Sequence, residues 1–443
     1  MLRVAVLLAI ALLGLLSGTS ANARASSTVA LSVTSGSSAG HTCAVTGDHD
    51  LLCWGGNSYG QLGDGTTQNR SSPVAVPALD GTVAAVATGH QHTCALTLSG
   101  GVVCWGRNSE GQLGDGTTTD RPAPVAVSGL GSGVVAIGAG FAHSCALLST
   151  GGVRCWGNNF HGQIGDGTAS NVWTTPRNVT QLAGVAAISS GDWHNCALLA
   201  SGGVRCWGEN LHGQLGNGQS SVNQQRTPVA TLLDGPALDV AAGATHTCAL
   251  LVDTSVWCWG RNTYGQLGSG ALGGLEDAPV PVSSLPDGAT SIAAGNAHTC
   301  ATAASEATSC WGRNQFGQLG DGTMTDRTAP VAAVGTGASS VTAGEWHACT
   351  LRPGAVACWG RNDAGQLGQG NTVSPGMTAQ VVPALAAGVG GLTDLTRPAR
   401  DAQNRGESGF AVLGGFAVLV LTSTLARRAR LKPGLREHGA SRR

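Results

Sequence analysis

Short runs of apolar residues alternate with glycine-rich polar steps along most of this chain. One unit shows the pattern clearly: Val134-Val135-Ala136-Ile137 is an apolar run, Gly138 to Ala142 turns it, and His143-Ser144-Cys145-Ala146-Leu147-Leu148 follows. Thr150-Gly151-Gly152 makes a hairpin turn, and Val153-Arg154-Cys155-Trp156 returns into a loop through Gly157, Gly162, Gly165 and Gly167. Runs this short, bounded by glycine, read as strands, with Asn178-Val179-Thr180 as the fourth of the set.

The unit recurs seven times. Its tryptophans are Trp54, Trp105, Trp156, Trp207, Trp259, Trp311 and Trp359, at spacings of 51, 51, 51, 52, 52 and 48 residues. Seven copies of a four-stranded unit, none able to bury its faces alone, predict an all-β, seven-bladed β-propeller over residues 28–386. The tryptophan supplies the large core side chain of each unit, and Ala95, Ala146, Ala197 and Ala249 leave room for it.

Each repeat holds two cysteines: Cys43 and Cys53, Cys94 and Cys104, Cys145 and Cys155, Cys196 and Cys206, Cys248 and Cys258, Cys300 and Cys310, Cys349 and Cys358. Antiparallel pairing about the intervening turn sets the two members of each pair opposite one another, so seven intra-repeat disulfides are expected. Zinc would need four ligands, and His-x-Cys with Cys-Trp-Gly lacks the usual Cys-x-x-Cys knuckles. A catalytic thiol would occur once, not seven times. No metal and no cofactor is expected.

The same argument applies to the repeated histidines, His41, His92, His143, His194, His246, His298 and His347. Seven equivalent copies point to a structural hydrogen bond. The aspartates of the Gly-Asp-Gly step, Asp64, Asp115, Asp166 and Asp321, become Asn217, Ser269 and Gln369 elsewhere. A calcium ligand would not be exchanged so freely, so the step reads as an Asx-type turn.

Composition narrows the function. Net charge is −1 and charged residues are only 11%, which leaves no basic field for nucleic acid. The ends differ from the middle. Residues 1–23 carry Arg3, an apolar run and a small-residue step at Ala21-Asn22-Ala23, the pattern of a secretory signal peptide. Residues 387–408 read as a linker, 409–426 as an apolar transmembrane or sorting helix, and 427–443 as a basic cytoplasmic tail. The propeller is then expected outside the cytoplasm, at a cell surface or membrane, where disulfides persist.

The phrase Leu/Val-Cys-Trp-Gly-x-Asn-x-x-Gly-Gln-Leu-Gly-Asp-Gly-Thr, as at Leu52 to Thr66 and Val103 to Thr117, resembles the signature of the regulator of chromosome condensation repeat family. That resemblance implies a seven-bladed propeller, often closed by pairing strands from the two ends of the domain. The family includes a nuclear exchange factor for a small GTPase, a plant ultraviolet-B photoreceptor and a secreted bacterial inhibitor of a β-lactamase. Export disfavours the exchange activity for this chain. Gly191-Asp192-Trp193-His194 and Gly344-Glu345-Trp346-His347 are only partly similar to the photoreceptor's Gly-Trp-Arg-His motif, with the Trp shifted and the Arg missing.

Binding should lie where the copies disagree. The two residues before each repeated His are Ala39-Gly40, His90-Gln91, Phe141-Ala142, Asp192-Trp193, Ala244-Thr245, Asn296-Ala297 and Glu345-Trp346. A second variable ring is Tyr59, Glu110, His161, His212, Tyr264, Phe316 and Ala364. Mixed aromatic and acidic residues suit a protein-binding face. Trp193, Trp346, Phe141, Asp192, Glu345 and His90 are the candidate binding residues of a monomeric, non-enzymatic module for a protein or glycan partner. The alternative is a secreted hydrolase or lyase over the channel, for which Asp192 with His194 and Glu345 with His347 are the only acid–base candidates.

Overall fold

The structure, a computed structural model, describes residues 30–385 apart from 170, 221–223 and 336. Among them no helix is long and apolar enough to cross a membrane. The expected leader at 1–23 and the apolar segment at 409–426 lie outside the described residues.

The described chain forms seven four-stranded antiparallel sheets, each a meander of four consecutive strands. In the third blade these are Val134–Ala139, His143–Leu148, Val153–Asn158 and Val172–Asn178. The first three fall where the apolar runs place them. The outer strand does not: it precedes Val179 instead of containing it, because its sequence Val-Trp-Thr-Thr-Pro-Arg-Asn is polar and half exposed. Pro176 is tolerated there because an outer strand has one unpaired edge. Val179 follows the strand and is buried in the seam to the fourth blade.

Each sheet buries both faces against its neighbours. The seven repeated tryptophans have no exposed surface. Each enters the seam with the preceding blade, as Trp105 does among Cys43, Val45, Leu51, Cys53 and Leu62, with Ala95 leaving it space. Its indole N–H donates to the main-chain carbonyl of the preceding blade's Gln, from Trp105 to Gln61 and Trp156 to Gln112, at 2.9–3.0 Å in all seven seams. The Gly-Gln-Leu-Gly phrase is thus a socket for the next blade. Its last glycine lies flat on the indole: at Gly63, with φ +74°, an added Cβ would come within 2.7 Å of Trp105 Nε1.

The cysteines are directly opposed in register, Cys94 to Cys104 in the second blade, and all seven expected pairs are disulfides. The Asp steps are Asx turns. Asp64 Oδ1 accepts from Thr66 N and Oγ1 at 3.0 and 2.8 Å, and Oδ2 pairs with Arg70 at 2.8 Å.

The ring closes without exchanging strands between its ends, unlike the closure the family resemblance implies, because both terminal blades take all four strands from their own repeats. Trp54 donates to the Gln366 carbonyl and packs among Cys349, Val356, Cys358 and Leu367, the same contact as every other seam.

Candidate functional site

Two loops of each blade meet at one end of the ring: the loop before the repeated His, and the long loop between the third and outer strands that contains Gly-Gln-Leu-Gly. The scaffold that holds them is a relay between blades. His92 Nε2 lies 2.9 Å from Ser144 Oγ, and Ser144 donates to the Gln112 carbonyl at 2.9 Å. A carbonyl can only accept, so the hydroxyl spends its proton there and receives from His Nε2–H, which fixes the tautomer. The relay repeats with Thr93, Asn195, Thr247, Thr299 and Thr42. It fails at His298, because the seventh blade offers Ala348 at that position; among the described residues this imidazole has no side-chain partner and meets only the main chain of His347.

All seven histidines are fully buried, so they are neutral. Burial, helped in several cases by neighbouring histidines, holds His41, His92, His194, His246 and His347 down to about 3. His143 and His298 are held to about 4. The acid–base candidates therefore do not form pairs. His194 bonds Thr247 and His347 bonds Thr42, each 2.8 Å away and sealed from solvent.

The six predicted binding residues divide into three places. His90, Phe141 and Trp193 form a continuous stack over blades two to four, with His90 on Phe141 at 4.1 Å and Phe141 against Trp193 at 4.9 Å. His161, from the second variable ring, closes it at 5.3 Å from Trp193. Trp346 and Glu345 belong to a separate cluster over blades five to seven, where Phe316 lies 5.8 Å from Trp346. Asp192 belongs to neither, because it is turned inward and buried.

Its partners come from across the ring. The first repeat has four residues between Gly36 and His41 where the second has two between Gly89 and His92. The longer loop crosses the mouth of the central channel, and Ser37 and Ser38 donate to Asp192 Oδ1 at 3.0 and 2.5 Å. The same loop is held by Thr88 of the second blade and Thr342 of the seventh. Beneath it is a cavity of about 140 Å³ lined by the innermost strands of all seven blades. Burial raises Asp192 to about 6 against the two hydroxyl bonds, with Glu209 adding repulsion. Burial also raises Glu345, opposed by the Trp346 hydrogen bond and Arg361.

Sequence reasoning missed three contributors to this face. Phe160 and Leu211, 51% and 49% exposed, extend the apolar sector on neighbouring blades. Arg313 lies over both Tyr264 and Trp346, at 4.5 and 4.7 Å from the ring centres. The available signal was the residue after each Cys-Trp-Gly, which varies around the ring as Gly56, Arg107, Asn158, Glu209, Arg261, Arg313 and Arg361.

Residues 130–395 match the RCC1-like domain, and residues 48–96 and 99–147 match the regulator of chromosome condensation (RCC1) repeat. The chain is 36% identical over 245 residues to the ultraviolet-B receptor UVR8 of Arabidopsis thaliana, covering 54% of each protein. It is 30% identical over 275 residues to the human E3 ubiquitin-protein ligase HERC2, covering 61% of this chain but 6% of that one. The chain thus spans about half the length of one curated relative and a small part of the other. Yeast RCC1 (Prp20), solved bound to Kap60, superposes with a TM-score of 0.68 at 25% identity, over 75% of this chain and 83% of that one.

Proposed function

The chain belongs to the regulator of chromosome condensation repeat family, and on that footing we propose that it is a non-enzymatic protein-interaction module working through the loop face of its propeller. The observation that carries this reading is the half-exposed aromatic stack of His90, Phe141, Trp193 and His161, set on a scaffold whose other repeated side chains are consumed by the fold. Such a stack is rigid and loses little conformational freedom on binding. The hydrolase or lyase reading has no support in the repeated residues, since His194 and His347 are sealed and neutral.

The address is part of the proposal. Seven disulfides in one domain are consistent with an oxidising compartment. A leader at residues 1–23 and an anchor at 409–426 would display the propeller on the outer side of a membrane. Protease protection of intact cells tests this, because a propeller shielded inside them would end the surface reading and reopen nucleotide exchange.

The binding face is tested by cross-linking partners in native envelope to the wild type and to a Trp193→Ala/Trp346→Ala double variant. Loss of specific adducts with an unchanged melting temperature supports the face. Equal recovery from both proteins sinks it.

A further inference from the structure

Resting on the reading of this face as a binding surface, we propose that its sector over blades five to seven receives an acidic segment of a protein partner, whose carboxylates pair with Arg261 and Arg313. Arg261, Arg313 and Arg361 hold one equivalent position in three successive blades. Each is fixed by its main-chain N–H, which donates to the carbonyl of Thr245, Ala297 or Trp346 at 2.8–3.0 Å. The corresponding residues of blades one, three and four are Gly56, Asn158 and Glu209, and Arg107 of blade two stands apart, bonded to Ser109 and Gln91, so three of the four cations lie on adjacent blades.

Only one of the three has its charge answered internally. Arg361 pairs with Asp363 at 2.5 Å and approaches Glu345 at 4.0 Å. Among the described residues, Arg261 and Arg313 have no carboxylate within ion-pair distance. Arg261 Nε donates to Thr263 Oγ1 at 2.9 Å, and Arg313 Nη2 donates to Gln315 Oε1. Both contacts are to neutral groups.

Arg313 is also pre-positioned. Its guanidinium lies over Tyr264 and Trp346, which holds the plane while leaving N–H donors at its edge. A carboxylate meets a guanidinium along that edge, in a two-bond fork that a partner's Asp or Glu can supply. The half-buried Trp346 and Phe316 beside it give the segment an apolar footing. A polyanion is a poorer fit, because Glu345 and Asp363 interrupt the positive arc and would repel a continuous phosphate backbone.

The test is fluorescence anisotropy of a labelled glutamate-rich peptide with the full-length protein, alongside its glutamine counterpart and a short single-stranded oligonucleotide. The acidic peptide should bind and the glutamine peptide should not. An Arg261→Gln/Arg313→Gln variant should lose about tenfold or more in affinity. Trp193→Ala should stay within about twofold, since its sector is separate. Binding should weaken as salt rises from about 50 to about 500 mM. An Arg313→Lys variant, keeping charge but losing the planar fork, should fall between wild type and the double variant. Equal affinity of the double variant, equal or tighter binding of the oligonucleotide, or no peptide binding at all would overturn the proposal. If cross-linking is lost in the tryptophan variant while the arginine variant binds normally, only the acidic-segment inference fails.

Discussion

Replacing Ala348 with threonine should strengthen the seam between the sixth and seventh blades. In the other six seams the residue after the repeated His accepts from the preceding blade's imidazole and donates to a Gln carbonyl, with both contacts between 2.7 and 3.1 Å. Ala348 can do neither, and buried His298 Nε2 is left without a well-formed hydrogen bond, meeting only the main chain of His347. An unsatisfied buried donor costs about 1–3 kcal/mol, and ordering a threonine side chain returns a few tenths of that. The substitution should therefore stabilise by roughly 1–2 kcal/mol, or about 1–3 °C in melting temperature for a domain of this size. Thermal and urea melts followed by tryptophan fluorescence measure it. Ala348→Val is the control, since it adds the same bulk without the hydroxyl. If valine stabilises as much as threonine, or threonine does not stabilise at all, the effect is packing and the relay argument is wrong.

The seven buried histidines predict sharp acid unfolding. Their folded-state pKa values of about 3 to 4 lie below the ordinary 6.5, so the unfolded chain binds more protons between those limits. Stability is present above about pH 6.5 and falls as pH drops toward 4, opposed by Asp192, whose raised pKa favours the fold at lower pH. A pH titration followed by circular dichroism should show a steep loss, and retention of the fold at pH 3 would contradict the burial. Cys94→Ala/Cys104→Ala should lose about 2–3 kcal/mol, the chain-entropy value for a loop of this size, in urea unfolding. Alkylation with mass spectrometry should label no cysteine in the unreduced protein. Gly63→Ala should destabilise by roughly 2 kcal/mol or more, because the added methyl strikes the Trp105 indole at a positive φ, and a wild-type melting curve would refute that contact.

The scaffold was legible because it is repeated. A tryptophan, two cysteines and a histidine returning at nearly constant spacing specify the blade and its disulfide register from local sequence. The outer strand was less so, because Pro176 and Arg177 carry no apolar alternation and Val179 is buried by the neighbouring blade, not by its own sheet. The candidate face divides along the same line. That Phe141 and Trp193 are prominent could be read from the variable positions, yet their stacking with His90 and His161 depends on the angle between blades. The inward turn of Asp192 is not legible locally, because its partners, Ser37 and Ser38, lie more than 150 residues away in a loop whose signal is its extra length.

The closing seam carries a last consequence. Ala30 and Leu385, the first and last described residues, share one buried cluster with Trp54, so the two ends of the described propeller meet at one junction. That junction makes the same tryptophan-to-Gln contact as the other six seams, so the sockets themselves do not mark one blade as first. A circular permutant, joined across residues 385 and 30 by a short linker and cut in the connection between any other pair of blades, would retain all seven tryptophan sockets. Its loop face would be unchanged while its exit point moved around the rim, which turns the position of any tether relative to the Arg261–Trp346 sector into an adjustable variable.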